Sequence, residues 1–226
     1  MIGTEALRTG LDAILAVALG ASCASCGELL EEPSRGPVCA VCWRSLDTAI
    51  PCVFGVSGAI DDAGALGLYD GALRSIIHSL KYEGRRSLAH PLATRVRARC
   101  RGVLDGAEVA VAVPLHPSRR RERGFNQALD LARGLGLPVR RALRRVRRTE
   151  SQTALSVNER HRNVSGAFAP SRFAWLRRDI AGRIVVLVDD VSTTGATLNE
   201  CAVVLKELGA REVRAVTAAK VVMSPH

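Results

Sequence analysis

A chain of 226 residues, 47% hydrophobic and only 4% aromatic, is long enough to bury a core and too apolar to be a disordered tail. Its net charge of +10 points to anionic partners, and arginine supplies 29 of the 32 basic residues. The apolar run Ala13 to Ala21 is far too short to span a bilayer, follows Glu5 and Asp12, and lacks a basic start, so the expected location is cytoplasmic.

From the N-terminus, Leu7 to Leu19 reads as a short amphipathic or buried helix. Cys23, Cys26, Cys39 and Cys42 then form a C-x2-C-x12-C-x2-C array. Each CxxC turn puts two thiolates on one side of a tight loop, and two such loops close a tetrahedron around Zn²⁺. Two disulfides or a redox pair are the alternatives; the lack of a convincing secretion signal and the doubled motif disfavour them. Four protein ligands would leave no open position, so a bound zinc would be structural. Cys52, Cys100 and Cys201 lie outside the array and read as small buried hydrophobes.

Asp47 to Asp62 reads as a connector. Ala65 to Tyr69 is then expected as a strand and Leu73 to Leu80 as a helix stopped at Gly84. Lys81 at that helix end either points into a site or simply complements the helix dipole. Leu88 to Val103 is expected as one further helix. Val109 to Val113 is an uninterrupted apolar run, as in a parallel strand buried on both faces, and Pro114 ends it. VAVPLHPSRRRERGFNQ then places a rigid turn and an arginine cluster at a strand's carboxyl end, where open α/β sheets bind ligands. A helix over 127–135 follows. From His116 to Arg148 there are eleven arginines against two acids, a local balance of +9. Part of that charge reflects a general preference for arginine over lysine, but its clustering is the unusual feature. The polar segment RTESQTALSVNERHRNVSGAF has no apolar periodicity and suits a lid or binding surface.

Ile184 to Val188 is a second buried-strand run, followed by Asp189 and Asp190, a small hydroxyl-rich loop from Val191 to Gly195, and a helix from Ala196. A strand, short loop and helix aim backbone amides and a positive helix end at one point, which suits a phosphate. The loop lacks the lysine of a nucleoside-triphosphate loop. Adjacent acids would repel a polyphosphate but suit a vicinal diol or hydrated Mg²⁺, and a diol beside a phosphate describes a ribose 5-phosphate. The plain alternative is a polar strand end whose threonine caps the next helix. Val213 to Ala218 closes the chain as a last strand.

The string VDDVSTTGATL resembles the ribose-phosphate loop of class I phosphoribosyltransferases. That resemblance gives Asp189 and Asp190 the ribose hydroxyls, as the catalytic pair. It gives Ser192, Thr193, Thr194, Gly195 and Thr197 the 5-phosphate. Together with the paired CxxC head, YDGALRSIIHSLKYEGR, VPLHPSRRRERGFNQA and RRTESQTALSVNERHRNV, in that order, the chain resembles the ComF family of competence-associated proteins. The resemblance implies an α/β phosphoribosyltransferase type I fold, a mostly parallel sheet flanked by helices, with a small N-terminal zinc ribbon. Residues 1–50 would form the N-terminal helix and ribbon, and 60–222 the transferase-like domain. It further implies phosphoribosyl pyrophosphate with Mg²⁺, or a nucleotide, as ligand, and a role in DNA uptake and natural transformation. Single-stranded DNA and a competence helicase or other uptake proteins would be partners. By analogy with the fold, the turn from Pro114 to Ser118, including Leu115 and His116, would sit at the pyrophosphate loop. Arg144 to Asn163 would be the lid, with Arg147, Arg148, Gln152 and Arg160 as candidate contacts, Lys81 and Arg123 being further candidates. Arg123 is expected on a phosphate and Phe125 in packing, although both also suit a structural role.

Overall fold

A computed structural model describes residues 20–47, 52–53, 58–147, 165–172, 174 and 179–222; of 52–53 it describes the backbone alone. The sequence dictates the centre of the fold. In Ile184–Ser192 (β6), Val185 and Leu187 pack on one face while Val186 and Val188 pack on the other, all at most 1% exposed. Only a strand covered on both sides hides a run of that kind. Its parallel neighbours are Val109–Ala112 (β3) and Glu212–Lys220 (β7). Beyond β7 lie Asp62–Leu68 (β2), also parallel, and Cys52–Val53 (β1), antiparallel at the edge, giving the order β1-β2-β7-β6-β3. Leu143–Arg145 (β4) and Phe168–Pro170 (β5) form a separate antiparallel pair.

Helices cover both faces. On one side Gly71–Tyr82 (α2), Ala89–Arg99 (α3) and Gln127–Gly134 (α6) bury Ile76, Leu80, Leu92 and Leu131 against Val186, Val188 and Val216. The same cluster takes in Cys23, Leu30, Val38 and, from Ala40–Asp47 (α1), Cys42 and Leu46, so the cysteine segment shares the apolar core of the sheet. On the other side Ala196–Glu207 (α7) sets Leu198, Cys201 and Leu205 against Leu187, Ala215 and Phe168.

Three expectations are corrected. The helix over 88–103 breaks into α3 and Arg101–Leu104 (α4), because Cys100 leaves helical geometry at ψ +29°. Cys100 and Val103 there face Gly64 of β2, where an added Cβ would lie 3.2 Å from each. The basic stretch before the lid contains a strand, β4, held by its ladder to β5. Last, β6 continues through Asp189 and Asp190 to Ser192, because β7 supplies ladder partners as far as Lys220. The acids therefore lie within the strand, and the loop proper starts at Thr193. Cys100 and Cys201 are buried as expected; the helix at Leu7 to Leu19 and the Cys52 side chain fall outside the described residues. Among those residues no helix is long and apolar enough to cross a membrane.

Because Leu187 is completely enclosed in the central strand, Leu187→Ala should cost about 2–5 kcal/mol. Urea unfolding followed by circular dichroism checks this; a loss under 1 kcal/mol would contradict the packing.

Candidate functional site

At the carboxyl edge of the sheet, Asp189, Val191, Ser192, Thr193, Gly195, Ala196 and Thr197 line a small recess. Gly195 makes the turn into α7 at φ +83°, a left-handed conformation costly for a side-chain-bearing residue. The Thr194 hydroxyl accepts from the Ala196 amide at 3.4 Å. The loop is therefore a tight, small-residue turn over a helix start, a geometry suited to anions.

The two acids face different surroundings. Asp190 is 9% exposed, and its Oδ1 meets Lys81 Nζ at 2.9 Å. Lys81 stands in the last turn of α2 and reaches from there to the end of β6. Asp189 is half-buried, and its Oδ1 accepts from the Asp190 amide at 2.9 Å. Burial and then the neighbouring Asp190 charge push the Asp189 carboxyl up to about 7, against the opposing pull of that amide, Lys81 and Arg145. Arg145 stands over the Phe168 ring at 5.2 Å on the β4–β5 pair, and burial lowers its own pKa.

Sequence reasoning missed two cations here. Lys220, the last residue of β7, donates from Nζ to the Thr193 carbonyl and approaches the Ser192 hydroxyl at 3.5 Å. Arg145 was hidden among many arginines. A signal for Lys220 existed: the chain has only three lysines, and two of them converge on this loop.

The turn after β3 leads to a second group of candidates. His116 Nδ1 lies 2.8 Å from the Ser118 hydroxyl and caps the short helix Pro117–Arg123 (α5). Asn126 caps α6 through Leu129 and donates to the Val113 carbonyl at 3.1 Å, pinning the turn to the strand end. Arg123 lies over the Tyr82 ring at 5.3 Å and reaches Gln127 Oε1 at 3.3 Å. Phe125 is buried in packing, as expected, and Leu115 lines a neighbouring cleft. Arg147 is exposed and donates to the Ser165 carbonyl at 3.0 Å. Arg148, Gln152 and Arg160 lie outside the described residues.

The Sγ atoms of Cys23, Cys26, Cys39 and Cys42 all lie within 4.8 Å of one another, with Cys26 and Cys39 at 3.9 Å. All four are free thiols. Tetrahedral zinc with Zn–S bonds near 2.3 Å requires sulfur separations of about 3.8 Å, so the cluster fits that ion. Amides of Ser25 and Cys39 point at Cys23 Sγ, at 3.4 and 3.3 Å, as they would toward a thiolate. Four clustered cysteines of this geometry could hold a metal.

Comparison with known proteins agrees with this layout. The phosphoribosyl transferase domain model matches residues 121–222. Competence protein F of Haemophilus influenzae is 35% identical over 159 residues, covering 66% of this chain and 68% of that protein. The chain belongs to the competence protein F (ComF) family. DNA utilization protein YhgH of Escherichia coli K12 is 35% identical over 156 residues, covering 65% of this chain and 66% of its own. Competence protein ComFC of Streptococcus pneumoniae is 31% identical over 104 residues, covering 46% of this chain and 44% of its own. The chain thus spans about two thirds of the first two ComF-family relatives. The parallel sheet flanked by helices is the phosphoribosyltransferase type I fold of this ComF chain.

The raised Asp189 carboxyl has a pH signature. The folded chain keeps a proton that the unfolded chain releases from its ordinary value of 3.8 upward, so stability falls as pH rises from about 4 to about 7. Denaturant titrations at pH 4.5 and 8 should show that fall shrinking in Asp189→Asn. Parallel pH profiles for the two proteins would contradict it.

Proposed function

We propose that this ComF chain binds phosphoribosyl pyrophosphate, or a nucleotide carrying ribose 5-phosphate, at the Asp189–Thr197 turn and transfers the ribosyl group to a nucleophile. The observation that carries the reading is one recess joining the Asp189 carboxylate to a glycine-turned helix start, with Asp190 next to it on the strand and held by Lys81. In this reading the carboxylates of Asp189 and Asp190 accept hydrogen bonds from the ribose hydroxyls. Ser192, Thr193, Thr194, Gly195 and Thr197 surround the 5-phosphate, and Lys220 holds the loop from behind through the Thr193 carbonyl.

Ribosyl transfer develops positive charge on the sugar and negative charge on the departing diphosphate. Mg²⁺ accompanying the substrate would neutralise that diphosphate. Lys81 holds Asp190 in place, so the diol meets an acceptor already oriented. The His116 turn and Arg147 stand as diphosphate-side candidates, and 144–163 as the cover that excludes water.

We further propose zinc in the cysteine cluster, with residues 1–50 forming a ribbon module on a domain over 60–222. Sulfur spacing near the tetrahedral edge supports the ion. A second reading, a nucleotide-sensing adaptor that handles single-stranded DNA in transformation, draws support from the local balance of +9 and from relatives named for competence and DNA utilization.

Calorimetric titration with phosphoribosyl pyrophosphate and Mg²⁺ should show binding that is weakened at least tenfold in Asp190→Asn. An unchanged isotherm would sink the pocket assignment. Metal analysis should give one zinc per chain, and Cys39→Ser should lose zinc and melt at lower temperature; full zinc in that variant would reject the cluster as ligand set.

A further inference from the structure

A second concavity lies beyond the edge strand β3. It has a volume of about 330 Å³ and is lined by five arginines drawn from four segments: Arg86 after α2, Arg120 on α5, Arg133 on α6, and Arg140 and Arg141 before β4. Its single lining carboxylate, Asp130, is already engaged by Arg86 at 2.8 Å and Arg133 at 3.0 Å. Arg120, Arg140 and Arg141 have no ion-pair partner among the described residues.

Like charges gathered around a concavity repel one another and raise the local concentration of anions. One group carries a specific demand: Arg140 Nε is buried without a hydrogen-bond acceptor. A buried donor left without an acceptor is costly, more so when charged, and an anionic ligand would offset that cost. The chain cannot relieve this by moving the residue freely, because the Arg140 amide bonds the Ala110 carbonyl at 2.8 Å and ties the segment to β3. The position is therefore built rather than incidental.

We propose that this cleft is a second anion site, which takes a small phosphorylated molecule. Guanidinium forks match phosphate oxygens in pairs, and arginines contributed by separate segments can share one phosphoryl group. Ala112, Leu115, Leu129 and Leu143 add apolar contacts to a lining that is otherwise mainly polar. The volume stands at the small end for small-molecule sites, which favours a phosphate ester or diphosphate over a long polymer. The cleft shares Pro114 and Leu115 with the turn placed on the diphosphate side, but none of the residues from Asp189 to Thr197 lines it, so it does not rest on the assignment of the 5-phosphate turn.

The test is calorimetric titration of the full chain with inorganic pyrophosphate at low salt, without Mg²⁺. The variants are Arg120→Gln with Arg141→Gln, Arg141→Gln alone, and Gly195→Val. Arg120 and Arg141 are exposed, so the double variant should fold, as a melting curve verifies. Expected are a loss of at least tenfold in the double variant, a smaller loss in the single one, and less than twofold in Gly195→Val. Three results overturn the site: no pyrophosphate binding at millimolar concentration, a loss confined to Gly195→Val, or a double variant that loses only affinity for an oligothymidylate.

Discussion

The contact between Lys81 and Asp190 governs how this site can be built. Both side chains are nearly withdrawn from solvent, at 14% and 13% exposed, and stand 2.9 Å apart. A buried charge without a partner is costly, so the end of α2 and the end of β6 are obliged to meet. Once they do, β6 carries its acids to the sheet's carboxyl edge, and the turn at Gly195 opens beside them. Lys220 closes the arrangement from β7 by bonding the Thr193 carbonyl. The two lysines are compact point charges, where the planar arginine fork preferred elsewhere in the chain would demand more room.

The acids also illustrate how one dipeptide yields two chemical characters. Alternation along a strand sends adjacent side chains to opposite faces. Asp190 meets a lysine; Asp189 accepts from its own following amide and feels the charge of the partly buried Arg145, and its carboxyl still rises through burial and the Asp190 charge. A pair that looks redundant in sequence is therefore asymmetric in the fold.

Much of this was legible beforehand because it is local. Unbroken apolar runs announced β3 and β6, and the helix ends of α2 and α7 followed from periodicity and glycine. The order of motifs announced the family. What was not legible depends on partners distant in sequence. The strand reaches past the acids because β7 offers ladder partners to Ser192, and nothing in IVVLVDDVSTT reveals that. Strand β4 exists through a partner more than twenty residues away. Arg145 differs from its neighbours Arg144 and Arg147 by what the tertiary fold sets against it, the Phe168 ring and the Asp189 carboxyl. Arg140 and its unmet donor belong to the same class, since burial of a single nitrogen has no sequence signature.

Helix α2 has a neighbour at each side of its final turns. The Ser79 hydroxyl donates at 3.1 Å to the Ala24 carbonyl, inside the first cysteine knuckle, and Arg85 donates at 3.2 Å to the Ser22 carbonyl. Lys81 lies between those anchors and holds Asp190 at the strand end that leads into the Gly195 loop. The knuckle and the loop are therefore coupled in series through a single rod about one turn long. A disturbance of the cysteine head, such as oxidation of its thiols, would be transmitted as a tilt of that rod, and the first thing to move at the far end would be an ammonium group.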